Sequence, residues 1–181
     1  MDKYSYDLLK KNGIQFEKGL TFDELVKIEN IYQIKFPKSL REFLMIALPI
    51  SKGFYNWRNM KEDNINFIKN IMNSPFLNIY SMAEEICWCD NWGEEPENKE
   101  SILKEVKIRL KEAPKLLPIY AHRYMPMVEV ENPPIVSIHG IDIIYYGKNL
   151  EDYIDVEFGN KRQDEIEFES VTSISFWSDI M

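Results

Sequence analysis

The sequence predicts one α+β domain spanning residues 1–181, with helices packed around a mostly antiparallel sheet in the C-terminal half. Three observations predict it. Helical periodicity and helix-start signals fill the chain up to about residue 112. Runs of β-branched and aromatic residues, broken by Pro and Gly, gather after Lys115. Helices in one part of the chain and strands in another argue against a βαβ winding. A chain of 181 residues fits a single core, and at this size roughly 70% of the unfolded surface is buried, so no disulfide framework or structural metal is required.

The elements follow in order. Thr21-Phe22-Asp23-Glu24 is a capping box, with Leu20 and Leu25 placed as a hydrophobic staple and Phe22, Leu25, Ile28 and Tyr32 as the stripe behind it. The next helix opens at Pro37, whose fixed φ suits a first helical position; Leu40, Phe43, Leu44, Ala47 and Leu48 form its buried face, and Pro49 with Gly53 ends it. Ile65, Ile68 and Met72 predict a helix over 61–72. Ser81-Met82-Ala83-Glu84 repeats the capping-box pattern and predicts a short helix through Cys87 and Trp88. Residues 99–112 read as an amphipathic surface helix on Leu103, Val106 and Leu110. Lys115–Val130, interrupted by Pro118 and Pro126, reads as short or edge strands. Ile135–Ile138 and Ile141–Tyr146 flank His139-Gly140 as a hairpin. Asn149 caps a helix from Leu150 to about Phe158, and Ile166–Phe168 reads as an edge strand. Ile174, Phe176, Trp177 and Ile180 close the chain as apolar anchors.

Mean hydropathy is −0.36, and no apolar run approaches the ~20 residues of a membrane span. The N-terminus has no apolar core of a secretory signal. Cys87 and Cys89 are too close in sequence for a relaxed disulfide and read as buried or half-buried free thiols. The expected compartment is the reducing cytoplasm. The formal net charge is −8, and residues 149–181 carry −7 of it, with nine acids against Lys161 and Arg162. Such a segment repels nucleic acid and anionic membrane and attracts a basic partner; the plainer reading of a charge run is a solvated surface.

Of reactive constellations the sequence offers little. No glycine loop for phosphates and no nucleophile elbow is present, and His122 and His139 are the only histidines. No cofactor is expected. His122-Arg123-Tyr124 is the most polar knot in the strand region. In one reading His122 is a catalytic base and Arg123 an anion clamp. In the preferred reading both are structural, Arg123 pairing with a partly buried carboxylate such as Asp142 while His122 bonds to backbone. Strand alternation places Asp142, Ile144 and Tyr146 on one face and Ile141, Ile143 and Tyr145 on the other. Trp57, Trp88 and Trp92 read first as core fillers; Trp92, beside Gly93-Glu94-Glu95-Pro96, is the one best placed to be exposed in a loop, where an indole with neighbouring carboxylates would suit a protein interface.

Ile34-x-Phe36-Pro37 followed by Leu40, Phe43-Leu44 and Gly53 resembles the N-terminal signature of the SUKH superfamily. That superfamily includes yeast cell-wall-synthesis regulators of the SMI/KNR type and many bacterial immunity proteins. Gly53-Phe54-Tyr55-Asn56-Trp57, Pro118-Ile119-Tyr120-x-His122-Arg123-Tyr124-Met125-Pro126, Ser137-Ile138-x-Gly140-x-Asp142-Ile143-Ile144-Tyr145-Tyr146-Gly147 and Leu150-x-x-Tyr153 resemble its bacterial branch, in matching order over about residues 20–158. The resemblance implies helices on an antiparallel sheet, no shared catalytic residues, and a cytoplasmic immunity protein that neutralises a toxin, frequently a nuclease. Residues 159–181 lie outside it as an acidic extension packed on the domain. On this reading the partner is a cognate toxin with a basic surface, met by Trp92, Glu94, Glu95, Glu151, Asp152, Asp155, Glu165 and Glu167. A homodimer stays open. The alternatives are a regulatory scaffold of the SMI/KNR type and a hydrolase centred on His122.

Overall fold

The computed structural model describes residues 2–181. The element order is α1 (Lys3–Lys11), β1 (Phe16–Lys18), α2 (Phe22–Tyr32), α3 (Lys38–Ile46), β2 (Ala47–Pro49), α4 (Glu62–Ser81), α5 (Lys99–Glu112), β3 (Leu116–Tyr120), β4 (Arg123–Pro126), β5 (Ile135–His139), β6 (Asp142–Gly147) and α6 (Leu150–Phe158). The fold is α+β. An antiparallel meander in the order β3-β4-β5-β6 forms the C-terminal sheet, and β1 pairs with β2 in a small second one. Among the described residues no helix is long and apolar enough to cross a bilayer.

Local chemistry sets the helix starts. Thr21 Oγ1 accepts from Glu24 N–H at 3.2 Å, and Glu24 Oε2 accepts from Thr21 N–H at 2.7 Å, completing the capping box. Asn149 Oδ1 accepts from Asp152 N–H at 2.9 Å and starts α6. Pro37 is the capping residue of α3 rather than its first helical one. That helix ends at Ile46, earlier than its apolar stripe suggests, because residues 47–49 extend to pair with Phe16–Lys18. The first twenty residues gave no element by pattern. They form α1, capped by Asp2, and β1, and they are anchored by the fully buried Leu9.

Two other expectations fail. The helix expected over 61–72 runs on to Ser81 with Pro75 inside it. Its buried stripe continues through Met72, Pro75 and Ile79, and this packing outweighs the one lost backbone bond. Ser81 therefore ends a helix instead of starting one. Its hydroxyl donates to Asn78 O, residues 82–85 form a turn, and residues 86–89 are irregular. Residues 166–168 do not form an edge strand. Single 3₁₀ turns at Gln163–Glu165 and Phe168–Ser170 flank a buried Ile166, and Gln163 Nε2 donates to Tyr145 O at 3.0 Å, covering the edge of β6 with a side chain.

The sheet is covered on both faces. On one, Leu117, Met125 and Ile135 join Leu25, Ile28, Leu40, Leu44, Ile68 and Tyr153 from the helices. On the other, Leu116, Tyr124, Val136 and Ile143 meet Ile79, Ile102 and Val106 together with Ile174, Phe176, Trp177 and Ile180. The C-terminal segment is thus part of the second core, and Trp177 Nε1 donates to Pro114 O at 2.8 Å. Burial on both faces explains the unbroken apolar run of β3.

Candidate functional site

The residues that carry the family resemblance meet in pairs, and the meetings are packing contacts. Gly53, at φ +102°, lies under the Tyr120 ring, where a Cβ would stand 2.3 Å from a ring carbon. Its carbonyl accepts from Ala121 N–H at 2.8 Å, while Tyr55 Oη donates to Ala121 O at 2.6 Å. These two bonds hold Ala121 at φ 46° in the β3–β4 turn. Gly147 abuts Tyr153 in the same way, with a Cβ position 2.6 Å from that residue's backbone. In the β5–β6 hairpin the two turn residues are Gly140 and Ile141, one place later than expected, with Gly140 at φ +65° and His139 paired with Asp142.

The polar knot is a buried brace. Arg123 is 8% exposed. Its Nε donates to Glu157 Oε2 at 3.1 Å and its Nη1 to Ser137 Oγ at 3.0 Å, and its guanidinium carbon sits 3.8 Å from the centroid of the Tyr146 ring. The expected partner, Asp142, is not the one used. Arg123 is in register with Ser137 and Ser137 with Ile144, which leaves Asp142 at the hairpin tip, exposed and facing solvent. The alternation of β6 is as expected, with Tyr146 on the first core and Ile143 and Tyr145 on the second. His122 is exposed, with its ring centroid 6.0 Å from that of His139. Partial desolvation, then the charges of Arg123 and His139, lower its pKa. Its backbone carbonyl accepts from Ile138 N–H, but no hydrogen bond to its ring is found among the described residues. A base–orienter pair needs a carboxylate on the ring, and Asp142 stands opposite His139 instead.

The expected interface acids divide into two groups. Asp152 is turned inward: it pairs with Lys161 and accepts from Lys148 N–H, and its side chain is 9% exposed. Glu151 accepts from Asn132 Nδ2, Asp155 from Tyr4 Oη, and Glu165 from Arg162 N–H. Glu167 pairs with Lys148 at 2.7 Å. Much of the C-terminal negative charge therefore holds the fold together. Glu94 and Glu95, by contrast, are exposed and make no hydrogen bond or ion pair among the described residues.

Those two belong to a feature that charge counted over the whole front of the chain conceals. Residues 83–98, the α4–α5 connection, hold Glu84, Glu85, Asp90, Glu94, Glu95 and Glu97 with no base. Among the described residues only Glu84 of these is paired, with Lys99. A sliding window of charge would have found this loop in the sequence. Its conformation is fixed by aromatics. Trp92 is half-buried rather than exposed, because it stacks on Phe176 at 5.7 Å, meets Trp88 edge-on at 5.3 Å and lies 4.5 Å below the Arg109 guanidinium. Trp88 Nε1 donates to Gly93 O at 2.9 Å, tying the loop across its 3₁₀ turn at Asp90–Trp92. Cys89 is half-buried as expected, whereas Cys87, in the irregular stretch that follows the turn, is exposed; both are free thiols. The result is a negative arm standing on a rigid aromatic base. No family model, curated protein or solved structure matches the chain.

Proposed function

We propose that the protein is a non-enzymatic immunity protein, which binds a cognate toxin with a basic surface and blocks it. The observation that carries this reading is the α4–α5 loop. Five carboxylates without ion-pair partners among the described residues, Glu85, Asp90, Glu94, Glu95 and Glu97, project from a backbone pinned by Trp88 and Trp92. A fixed array loses little conformational entropy on binding. Its clustered sign steers a basic partner into encounter and rejects acidic ones. The resemblance to the bacterial SUKH branch supports the same reading, since its motifs serve packing here and leave the acidic loop free to meet a partner. Trp92 acts from beneath the loop, as its foundation, and the interface is made by the acids above it.

Growth rescue tests the proposal. The chain is co-expressed with the toxic C-terminal domain encoded beside its gene. Wild type is expected to restore growth, and a Glu94→Lys, Glu95→Lys, Glu97→Lys triple variant to lose the rescue while melting at the wild-type temperature. A neighbouring gene with no toxic product, or full rescue by the triple variant, contradicts the proposal.

A further inference from the structure

A cleft of about 320 Å³ opens where the end of α2, the middle of α4 and the end of α5 converge. Its wall has a composition unlike the rest of this acidic molecule. Lys69, Lys111 and Lys115 line it, and no carboxylate does. Met72, Phe76 and Leu110 supply an apolar floor. Residues at the C-terminal ends of α2 and α5 border it, and lysines near such ends are ordinarily there to balance their dipoles. Lys115 does so, donating to Gln33 O at 2.6 Å at the C-cap of α2. Lys69 has no such duty, since it projects from mid-helix, and neither it nor Lys111 has an ion-pair partner among the described residues.

A second observation is independent of charge. Tyr32 borders the cleft and is 4% exposed, and its hydroxyl is buried without a hydrogen-bond partner. The ring is wedged edge-on against Trp57 at 5.2 Å, which fixes where the hydroxyl sits. Burial pushes the phenol up to about 12, so it remains a donor at neutral pH. An unpaired buried hydroxyl is costly, and native structures rarely leave one without an oxygen to bond. Tyr32 lines the cleft, and a ligand oxygen there is the partner proposed for its hydroxyl.

We propose that this cleft binds a small amphipathic carboxylate, its head held by Lys69, Lys111 and the Tyr32 hydroxyl and its apolar body lying on Met72, Phe76 and Leu110. A volume near the lower limit for small-molecule sites suits a compact, aromatic-sized ligand. The site shares no residue with the acidic loop and does not depend on the toxin-binding reading.

The test is an NMR titration of the full ¹⁵N-labelled chain with 2-naphthoate, using 2-naphthamide as its uncharged counterpart. Saturable shifts are expected at Tyr32, along 69–76 and along 110–115, with naphthamide about tenfold weaker or more. Lys69→Gln with Lys111→Gln should weaken naphthoate about tenfold, and Tyr32→Phe about three- to tenfold. Tyr32→Phe removes only a hydroxyl that bonds nothing in the protein, so it keeps the fold and isolates that contact. Equal binding of acid and amide, shifts centred elsewhere, or unchanged affinity in the lysine double variant would each overturn the proposal.

Discussion

The most buried charge in the molecule is a glutamate that sequence patterning passes over. The Glu29 side chain is 1% exposed. Its Oε1 accepts from Arg41 Nη2 at 2.7 Å and from Phe36 N–H at 3.1 Å, and its Oε2 from Lys35 Nζ at 2.7 Å. One carboxylate thereby ties α2 to the 33–37 turn and to α3. Glu29→Gln keeps the shape and removes the charge. Its amide nitrogen must face Lys35, which is 75% exposed on its side chain and can turn into water, so that contact costs little. The remaining oxygen still receives Phe36 and Arg41, but without charge assistance. The expected loss is about 1.5–2.5 kcal/mol. Glu29→Ala additionally strands the Phe36 N–H and the Arg41 guanidinium, whose Nε already lacks a partner, and should cost about 3–5 kcal/mol. Lys35→Ala should cost under about 1 kcal/mol.

Urea unfolding at pH 7 and pH 3 reads these values. Burial alone would raise the Glu29 pKa, but the bonds from Lys35, Arg41 and Phe36 N–H outweigh it, and the net direction is down. A carboxyl lowered on folding adds stability above its unfolded pKa of roughly 4.3 and loses it as pH falls below that. The gap between wild type and Glu29→Gln must therefore narrow toward pH 3. A gap below about 0.5 kcal/mol at pH 7, or one that widens in acid, would refute the assignment of Glu29 as the tie between these elements.

Three further outcomes are expected. Gly147→Ala places a methyl 2.6 Å from the Tyr153 backbone and should destabilise by about 2–4 kcal/mol, measured by the denaturation midpoint. Arg123→Lys keeps the charge but loses the two-way fork to Glu157 and Ser137 and the stacking on Tyr146; about 2 kcal/mol of stability should go, with no change in rescue of a toxin-expressing strain beyond what stability explains. The Arg58 guanidinium and then the Thr21 N–H hold the Glu24 pKa at about 2. Its contribution, about 1 kcal/mol once discounted for a pair one-third exposed to water, is present above the ordinary carboxyl range and lost between about pH 4.5 and 2; Glu24→Gln should flatten that limb of the melting-temperature profile.

Where the signal is local, the fold was legible from the residues. The capping box at Thr21, the Asn149 cap, the Gly140 hairpin and the strands after Lys115 all follow from chemistry within a few positions. Tertiary context was not legible. The burial of Ile79 carries α4 past Pro75, and pairing with Phe16–Lys18 pulls residues 47–49 out of a helix. Arg123 chose its partner by strand register and by α6, placing Glu157 and not Asp142 beside it. Trp92 sank into the surface because Phe176, more than eighty positions away in sequence, closes the chain over it. The acidic loop was visible in the letters, as Glu94 and Glu95 show, but its extent was hidden by counting charge over too long a span. The cleft at Tyr32 assembles from three separate helices and leaves no sequence pattern.

The proposal that the α4–α5 carboxylates recruit a basic toxin is tested most directly by stopped-flow association of the purified chain with the proposed toxin partner across ionic strength. Wild type should associate fast at low salt and slow steeply as salt rises, and the Glu94→Lys, Glu95→Lys, Glu97→Lys variant should be at least about tenfold slower with a much flatter salt dependence. Identical rates and salt slopes for the two proteins would contradict it.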